Sequence, residues 1–424
     1  MTTNTVSPKD SALHAAQFDR NLDRLAETAV RIGLGLAPGQ ELLITATLEA
    51  VPLVQRITEH AYKQGASLVT VLFSDEQASL LRFRYGSDAS FDAAASWLYK
   101  GMAEAYRNGA ARMAITGNNP SLLSSEDPAK VSRVNRAFSK AYRPALDLIV
   151  RHDINWTIVA CATPAWAAAV FPKLSPEDGL ARLWDAIFAA SRADLTDPVA
   201  AWKQHDANLH ASADRLNAKR YSTLHFKGPG TDLRVGLADD HLWLGGGTTA
   251  HNGLYCIPNI PTEEVFTTPH KDRVEGQVTS TKPLSYQGAM IEEISVRFEA
   301  GRIVQARASR GDEVLQQMIS TDDGGRRLGE VSLVPHSSPI ASSGLLFMNT
   351  LFDENAACHI ALGQAYSSCL TGGDQLTPEQ LAARGANTSL IHVDWMIGSN
   401  RIDVDGISAD GRTEPVMRAG EWAK

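Results

Sequence analysis

The chain has 424 residues, of which 44 % are hydrophobic and 21 % charged, with a formal net charge of -8. That is the composition of an ordinary soluble globular protein of two or three domains. It gives no sign of the basic face that a nucleic-acid partner calls for. Cys161, Cys256, Cys358 and Cys369 are scattered, with no CxxC pair, so zinc-ribbon and thioredoxin readings fail; the simplest reading is reduced thiols in a reducing, cytoplasmic compartment. Cys358 reads as a small buried residue and not as a nucleophile.

The first twelve or so residues are polar and read as loosely ordered, without the charged and apolar regions of a signal peptide. From Phe18 to Leu34 apolar residues recur at helical spacing through Leu22, Leu25, Ala26, Ala29 and Val30, and Pro38-Gly39 marks a turn. A β-rich run at Glu41–Thr47 follows. A helical face of Val51, Val54, Ile57 and Ala61 then ends at Gly65, and a second β-rich run covers Ser67–Phe73. Strand, helix, strand predicts a right-handed crossover and a parallel sheet.

The alternation continues with a helix near Gly101–Asn108, a strand at Arg112–Thr116, a helix over Ala129–Tyr142, a strand at Trp156–Cys161 and a helix near Gly179–Ser191. The apolar stretch Ile154 to Pro172 is interrupted by Asn155, Thr157, Thr163 and Pro164, so it reads as a buried strand and helix and not as a membrane span. The sequons at Asn155 and Asn387 carry no weight without a secretory signal.

From Tyr221 onward, strands and Gly-rich turns dominate. One hairpin is expected around Gly228-Pro229-Gly230 and another at Ala300-Gly301, followed by a helix with Glu313, Val314, Gln317 and Met318. The expected fold class is α/β, with an N-terminal α/β domain holding a parallel sheet (1–215) and a β-rich α+β C-terminal domain (216–424). Gly245-Gly246-Gly247 lacks the Lys-Ser/Thr and the crossover context of a phosphate loop, and there is no GxSxG elbow.

Carboxylates and histidines recur in four stretches of the second half: Asn259 to His270, Arg326 to Pro339, Leu351 to Tyr366, and Leu390 to Ser399. In IHVDWMIG, strand alternation puts His392 and Asp394 on one face and Val393 and Trp395 on the other, which makes a plausible half of a metal site. Glu354 and His359 are imperfectly spaced for one helical face, but at a loop-to-helix entry they can converge. Glu330, between Gly329 and the apolar run VSLV, is a partly buried carboxylate in need of a cation or strong hydrogen bonds. Each residue also has a plainer reading. Glu263-Glu264 can be a solvated pair or a helix start, Glu330 can pair with Arg326 or Arg327, and His359 can be a core histidine bonded to backbone. His392 with Asp394 can be a structural pair, while His270 and His336 read as loop histidines. None has the self-contained spacing of HExxH.

PTEEVFTTPH, LGEVSLV, FDENAACHIALG and HVDWMIGS resemble, in order and separation, the signatures of the aminopeptidase T family of metallopeptidases. The resemblance extends through RIGLGLAPGQELLI and LEAVPLVQRITEHAYKQGA and so covers nearly the whole chain. It implies six metal ligands, namely Glu264, Glu330, Glu354, His359, His392 and Asp394. They would hold two divalent ions per chain, for which this mixed oxygen and nitrogen set suits zinc, cobalt or manganese. It further implies that Tyr366 stands near the metals, that the chain is a homodimer, and that the substrates are peptides with a free N-terminus; in such a mechanism a non-ligating carboxylate such as Glu263 would shuttle the proton to the leaving amine. Distant relatives of the family include iron-dependent ring-cleaving dioxygenases that use fewer ligands. A non-catalytic binding module would show broken ligands, and all six are present here.

Overall fold

The computed structural model describes residues 8–286 and 289–423. They form two compact units, Met1–Gln204 with Gly247–Ile260, and His205–Gly246 with Pro261–Lys424. The short return of Gly247–Ile260 to the first unit has no counterpart in a reading of the chain as two consecutive blocks.

The first unit alternates helices and strands as the sequence predicts. Its elements are α1 (Pro8–Thr28), β1 (Glu41–Thr47), α2 (Val51–Lys63), β2 (Leu68–Ser74), α3 (Glu76–Tyr85), α4 (Ser96–Arg107), β3 (Ala111–Thr116), α5 (Pro128–Val150), β4 (Trp156–Ala160), α6 (Pro164–Val170) and α7 (Pro176–Ala190). The four strands form a wholly parallel sheet in the order β2-β1-β3-β4. The helix expected from Phe18 starts earlier, at Pro8, and ends in a π-turn over Ala29–Gly33 that buries Ala29, Val30 and Ile32. The first seven residues, also expected to be loose, lie outside the described residues.

α5 runs past Pro144 to Val150, further than its sequence pattern shows. Ala145, Leu148 and Ile149 are buried there against Met102, Ala103 and Tyr106, and that burial offsets the hydrogen bond the proline removes. The apolar stretch after Ile154 is β4 and α6. No helix among the described residues is long and apolar enough to cross a membrane.

α8 (Pro198–Lys219) leads into the β-rich part. β5 (Thr223–Gly228) and β6 (Thr231–Leu237) make the expected hairpin, with Gly230 at φ +72 in the turn. After β7 (Leu244–Gly245), β8 (Thr248–Thr249) and β9 (Tyr255–Cys256) lie in the segment that belongs to the first unit. Then follow β10 (Val265–Thr267), β11 (Pro269–Thr279), the small pair β12 (Leu284–Tyr286) and β13 (Ala289–Ile291), and the hairpin of β14 (Ser295–Glu299) and β15 (Arg302–Arg307). α9 (Asp312–Ile319), β16 (Leu328–Leu333), α10 (Pro339–Ser343), α11 (Thr350–Asp353), β17 (His359–Gly363), α12 (Pro378–Ala383) and β18 (His392–Met396) come next, and β19 (Asp403–Ile407), β20 (Thr413–Arg418) and β21 (Glu421–Trp422) close the chain.

These strands build an eight-stranded sheet, β15-β14-β11-β6-β5-β19-β20-β21, and a five-stranded sheet, β18-β17-β16-β10-β7. Every pairing in the two sheets is antiparallel.

Period-two alternation gives the five-stranded sheet two different faces. Val331, Leu333, Ile360, Leu362, Val393 and Trp395 turn to the core of this unit. The register puts Glu330 opposite Ala361 and Ala361 opposite Asp394; Ser332 lies opposite His359, and Gly363 opposite His392. All of these belong to the other face. The register slips between Leu328 and Glu330, so Gly329 is an extra residue. This bulge lets Leu328 join the core although it stands two positions before Glu330.

Glycine is required at both ends of this arrangement. A Cβ on Gly329 would stand 2.3 Å from the Gln364 carbonyl oxygen, and one on Gly363, at φ +106, would stand 2.1 Å from that of Ile391. Gly363→Ala is therefore expected to cost about 1–3 kcal/mol or more. Urea denaturation checks this, and an unchanged midpoint contradicts the strain argument.

Candidate metal centre

Six side chains named from the sequence fall around this second face of the five-stranded sheet. Glu330 comes from β16, His359 from β17, and His392 and Asp394 from β18. Glu264 stands immediately before β10, and Glu354 occupies the 3-10 turn that follows α11. The expected loop-to-helix entry is in fact a helix-to-strand passage, because His359 begins a strand.

The spacing within the cluster is tight. His359 Nε2 lies 3.1 Å from Glu264 Oε2 and 3.4 Å from Glu330 Oε1. His392 Nε2 lies 3.5 Å from Glu330 Oε2 and 3.4 Å from Asp394 Oδ1. Glu330 thus offers one oxygen to each imidazole. Two overlapping groups result, Glu264–Glu330–His359 and Glu330–His392–Asp394, each close enough to share one ion. Glu354 is in neither of these close groups, but it is near enough for Glu264, Asp394, His359 and Glu330 to act on its charge.

Each imidazole is oriented from behind. His359 Nδ1 faces the Ala357 carbonyl oxygen at 3.2 Å, and His392 Nδ1 faces that of Gln364 at 2.7 Å. A carbonyl oxygen only accepts, so Nδ1 carries the hydrogen and Nε2 is left facing the carboxylates. A lone pair on Nε2 cannot face carboxylate oxygens without positive charge between them. A proton or a metal ion meets that need, and a backbone-bonded Nδ1 with a free Nε2 is the usual ligating arrangement.

The carboxylates point the same way. Burial, helped by Glu264 and Asp394 and opposed by His359 and His392, pushes Glu330 up to about 7. Burial and the same crowding raise Glu354 well above the ordinary range. His392 is raised to about 10: burial alone would lower it, but Asp394 and Glu330 overcome that. Asp394 is lowered despite burial, chiefly by His392. Four carboxylates facing two imidazoles carry more negative charge than the imidazolium forms can neutralise, and divalent cations fit this donor set.

The plainer reading of Glu330 as an arginine partner fails. Arg327 pairs with Asp272 and Arg326 reaches Ser320, so Glu330 keeps its imidazole partners. His270 accepts a hydrogen bond from the Asp272 amide. Glu263 is buried beside Glu264, and its Oε2 lies 3.4 Å from His205 Nε2. Tyr366 follows β17, with its ring centroid 4.8 Å from that of His392. The residue is 37 % accessible. Desolvation of the phenol, ahead of the negative charge of Glu330, Asp394, Glu354 and Glu264, raises it well above the ordinary range.

The small residues Ala361 and Gly363 and the hydroxyl of Ser332 complete this face. None was marked by the sequence pattern, because each gains its meaning from the strand opposite.

Residues 18–422 match the family of thermophilic metalloproteases, M29. The chain is 52 % identical over 405 residues to Aminopeptidase T of Thermus thermophilus, covering 96 % of this chain and 99 % of that one. It is 43 % identical over 407 residues to Aminopeptidase 2 of Geobacillus stearothermophilus, covering 96 % and 98 %. The solved structure of wild-type AmpT from Thermus thermophilus superposes with a TM-score of 0.92 at 51 % identity, covering 96 % of this chain and 100 % of that one. Fold and match together define a metalloprotease. The chain belongs to the thermophilic metalloprotease family M29. These relatives give no support to the ring-cleaving alternative.

Adding zinc, cobalt or manganese to chelator-stripped protein is expected to raise its thermal midpoint. At a hundredfold excess over Kd the gain is about 2.7 kcal/mol. A midpoint indifferent to all three ions counts against a metal centre.

Proposed function

We propose that this chain is a metal-dependent aminopeptidase that removes the N-terminal residue of peptides at a pair of divalent ions held by Glu264, Glu330, Glu354, His359, His392 and Asp394. The observation that carries the reading is the match to Aminopeptidase T over nearly the full length of both chains. The C-terminal part, residues 216–424, is the metal-binding catalytic domain in this reading, and residues 1–215 the N-terminal α/β domain.

Bound divalent ions supply Lewis acidity, polarising a carbonyl and bringing the pKa of a water towards neutrality. The remaining roles fall to the chain. Glu330 belongs to both close groups and ties the two positions together. Glu264 and His359 serve one side, His392 and Asp394 the other, and Glu354 adds charge to the whole. The backbone-bonded Nδ1 atoms hold both imidazoles in the tautomer that presents Nε2. Tyr366 donates its phenolic hydrogen to the scissile carbonyl oxygen as negative charge builds there.

The mixed carboxylate and imidazole set suits zinc, cobalt or manganese. Four free, buried cysteines support a reducing, cytoplasmic setting. The net charge of -8 gives no sign of a nucleic-acid partner. A homodimer rests on the family resemblance alone.

A panel of aminoacyl chromogenic substrates tests the activity, with chelation and then re-addition of zinc, cobalt or manganese. Hydrolysis lost to the chelator and restored by a metal is expected; no hydrolysis with any metal overturns the reading. Glu330→Gln and His392→Ala should each abolish turnover in protein whose circular dichroism is unchanged, and full turnover in either removes that residue from the site. Tyr366→Phe is expected to lower kcat by roughly a hundredfold to a thousandfold with little change in KM. Unchanged kcat ends its assigned role.

A further inference from the structure

β16 is buried along its whole length, and Ser332 is its one hydroxyl. A serine there needs a hydrogen-bond partner, because a buried hydroxyl without one costs free energy. Its partner is not backbone. Ser332 Oγ, 0 % exposed, donates to Glu264 Oε2 at 2.7 Å. The same oxygen lies 3.1 Å from His359 Nε2, and Ser332 and His359 face each other across β16 and β17. Hydroxyl and imidazole therefore meet the carboxylate together.

The backbone around Glu264 is anchored independently. The Glu263 amide donates to Asn355 Oδ1 at 2.7 Å, and Asn355 Nδ2 donates in turn to the Leu351 carbonyl at 3.0 Å. On the other side, Val265 is paired with both Leu333 and Gly245. With the main chain fixed on either side, what remains free is the rotation of the Glu264 side chain. Ser332 is placed to fix that rotation.

We propose that Ser332 is a positioning residue that sets the carboxylate of Glu264 for metal binding. The inference rests on the metal reading given above. Partners of ligating carboxylates are worth about 10–100-fold in metal affinity. A serine that only satisfied its own hydroxyl would leave that affinity untouched when removed.

The test titrates the metal-free full chain with zinc, cobalt and manganese in turn, comparing wild type with Ser332→Ala by calorimetry. Urea denaturation of both metal-free proteins runs alongside. The variant is expected to bind at least one ion about 10–100-fold more weakly, with a loss of metal-free stability smaller than the loss of binding free energy. Wild-type affinity in the variant overturns the proposal while the metal reading stands. A weaker affinity that comes with an equal loss of metal-free stability, or a variant that does not fold, makes Ser332 structural and also overturns it. Wild type that binds none of the three ions overturns the metal reading itself, and this proposal with it.

Discussion

β17 holds Ala361 directly between Glu330 on one neighbouring strand and Asp394 on the other. Two acidic side chains are thereby kept on one face with only a methyl group between them, and His359 and His392 stand one step away on either side. The strands could not bring this much like charge together without support from the opposite face, where Val331, Leu333, Ile360, Leu362, Val393 and Trp395 enter the core. Burying each of the five aliphatic side chains among them is worth about 1.5–3 kcal/mol, and that sum, with Trp395, opposes the cost of crowded carboxylates. The sheet is thus an apolar platform whose other side is electrostatically strained in the absence of cations.

The parts of this design that were legible in the sequence are local. The βαβ pattern of the first unit follows from runs such as Glu41–Thr47 and from the helical face of Val51, Val54, Ile57 and Ala61, each readable within a short window. His392 and Asp394 could be placed on one face because alternation needs no partner strand. Glu354 and His359 could not be placed this way, since a helix end and a strand start meet between them. α5 outran its pattern because tertiary burial of Leu148 and Ile149 overrode Pro144.

The rest of the site is a matter of register. Ala361 is an unremarked alanine until Glu330 and Asp394 flank it, and Gly363 is an ordinary glycine until Ile391 presses against it. Leu328 and Glu330 share a parity in sequence yet face opposite ways, because Gly329 inserts a bulge. One residue of slip reverses every side chain of a strand, and nothing within a single strand records it. The family resemblance names six candidate ligands at once because it compares whole chains, in which register is implicit.

Cys358 directly precedes His359, and the two-residue period sends it the other way. Its sulfur accepts from the Val334 amide at 3.4 Å and lies 3.5 Å from Met417 Sδ, while burial pushes the thiol up to about 11. The soft donor nearest in sequence to the proposed ions is therefore insulated from them by the thickness of a strand. The thiolate that a thiophilic metal such as copper(I) prefers is not supplied from this position. The pleat of β17 thus sends one neighbour, His359, to the carboxylates and the other, Cys358, into the core.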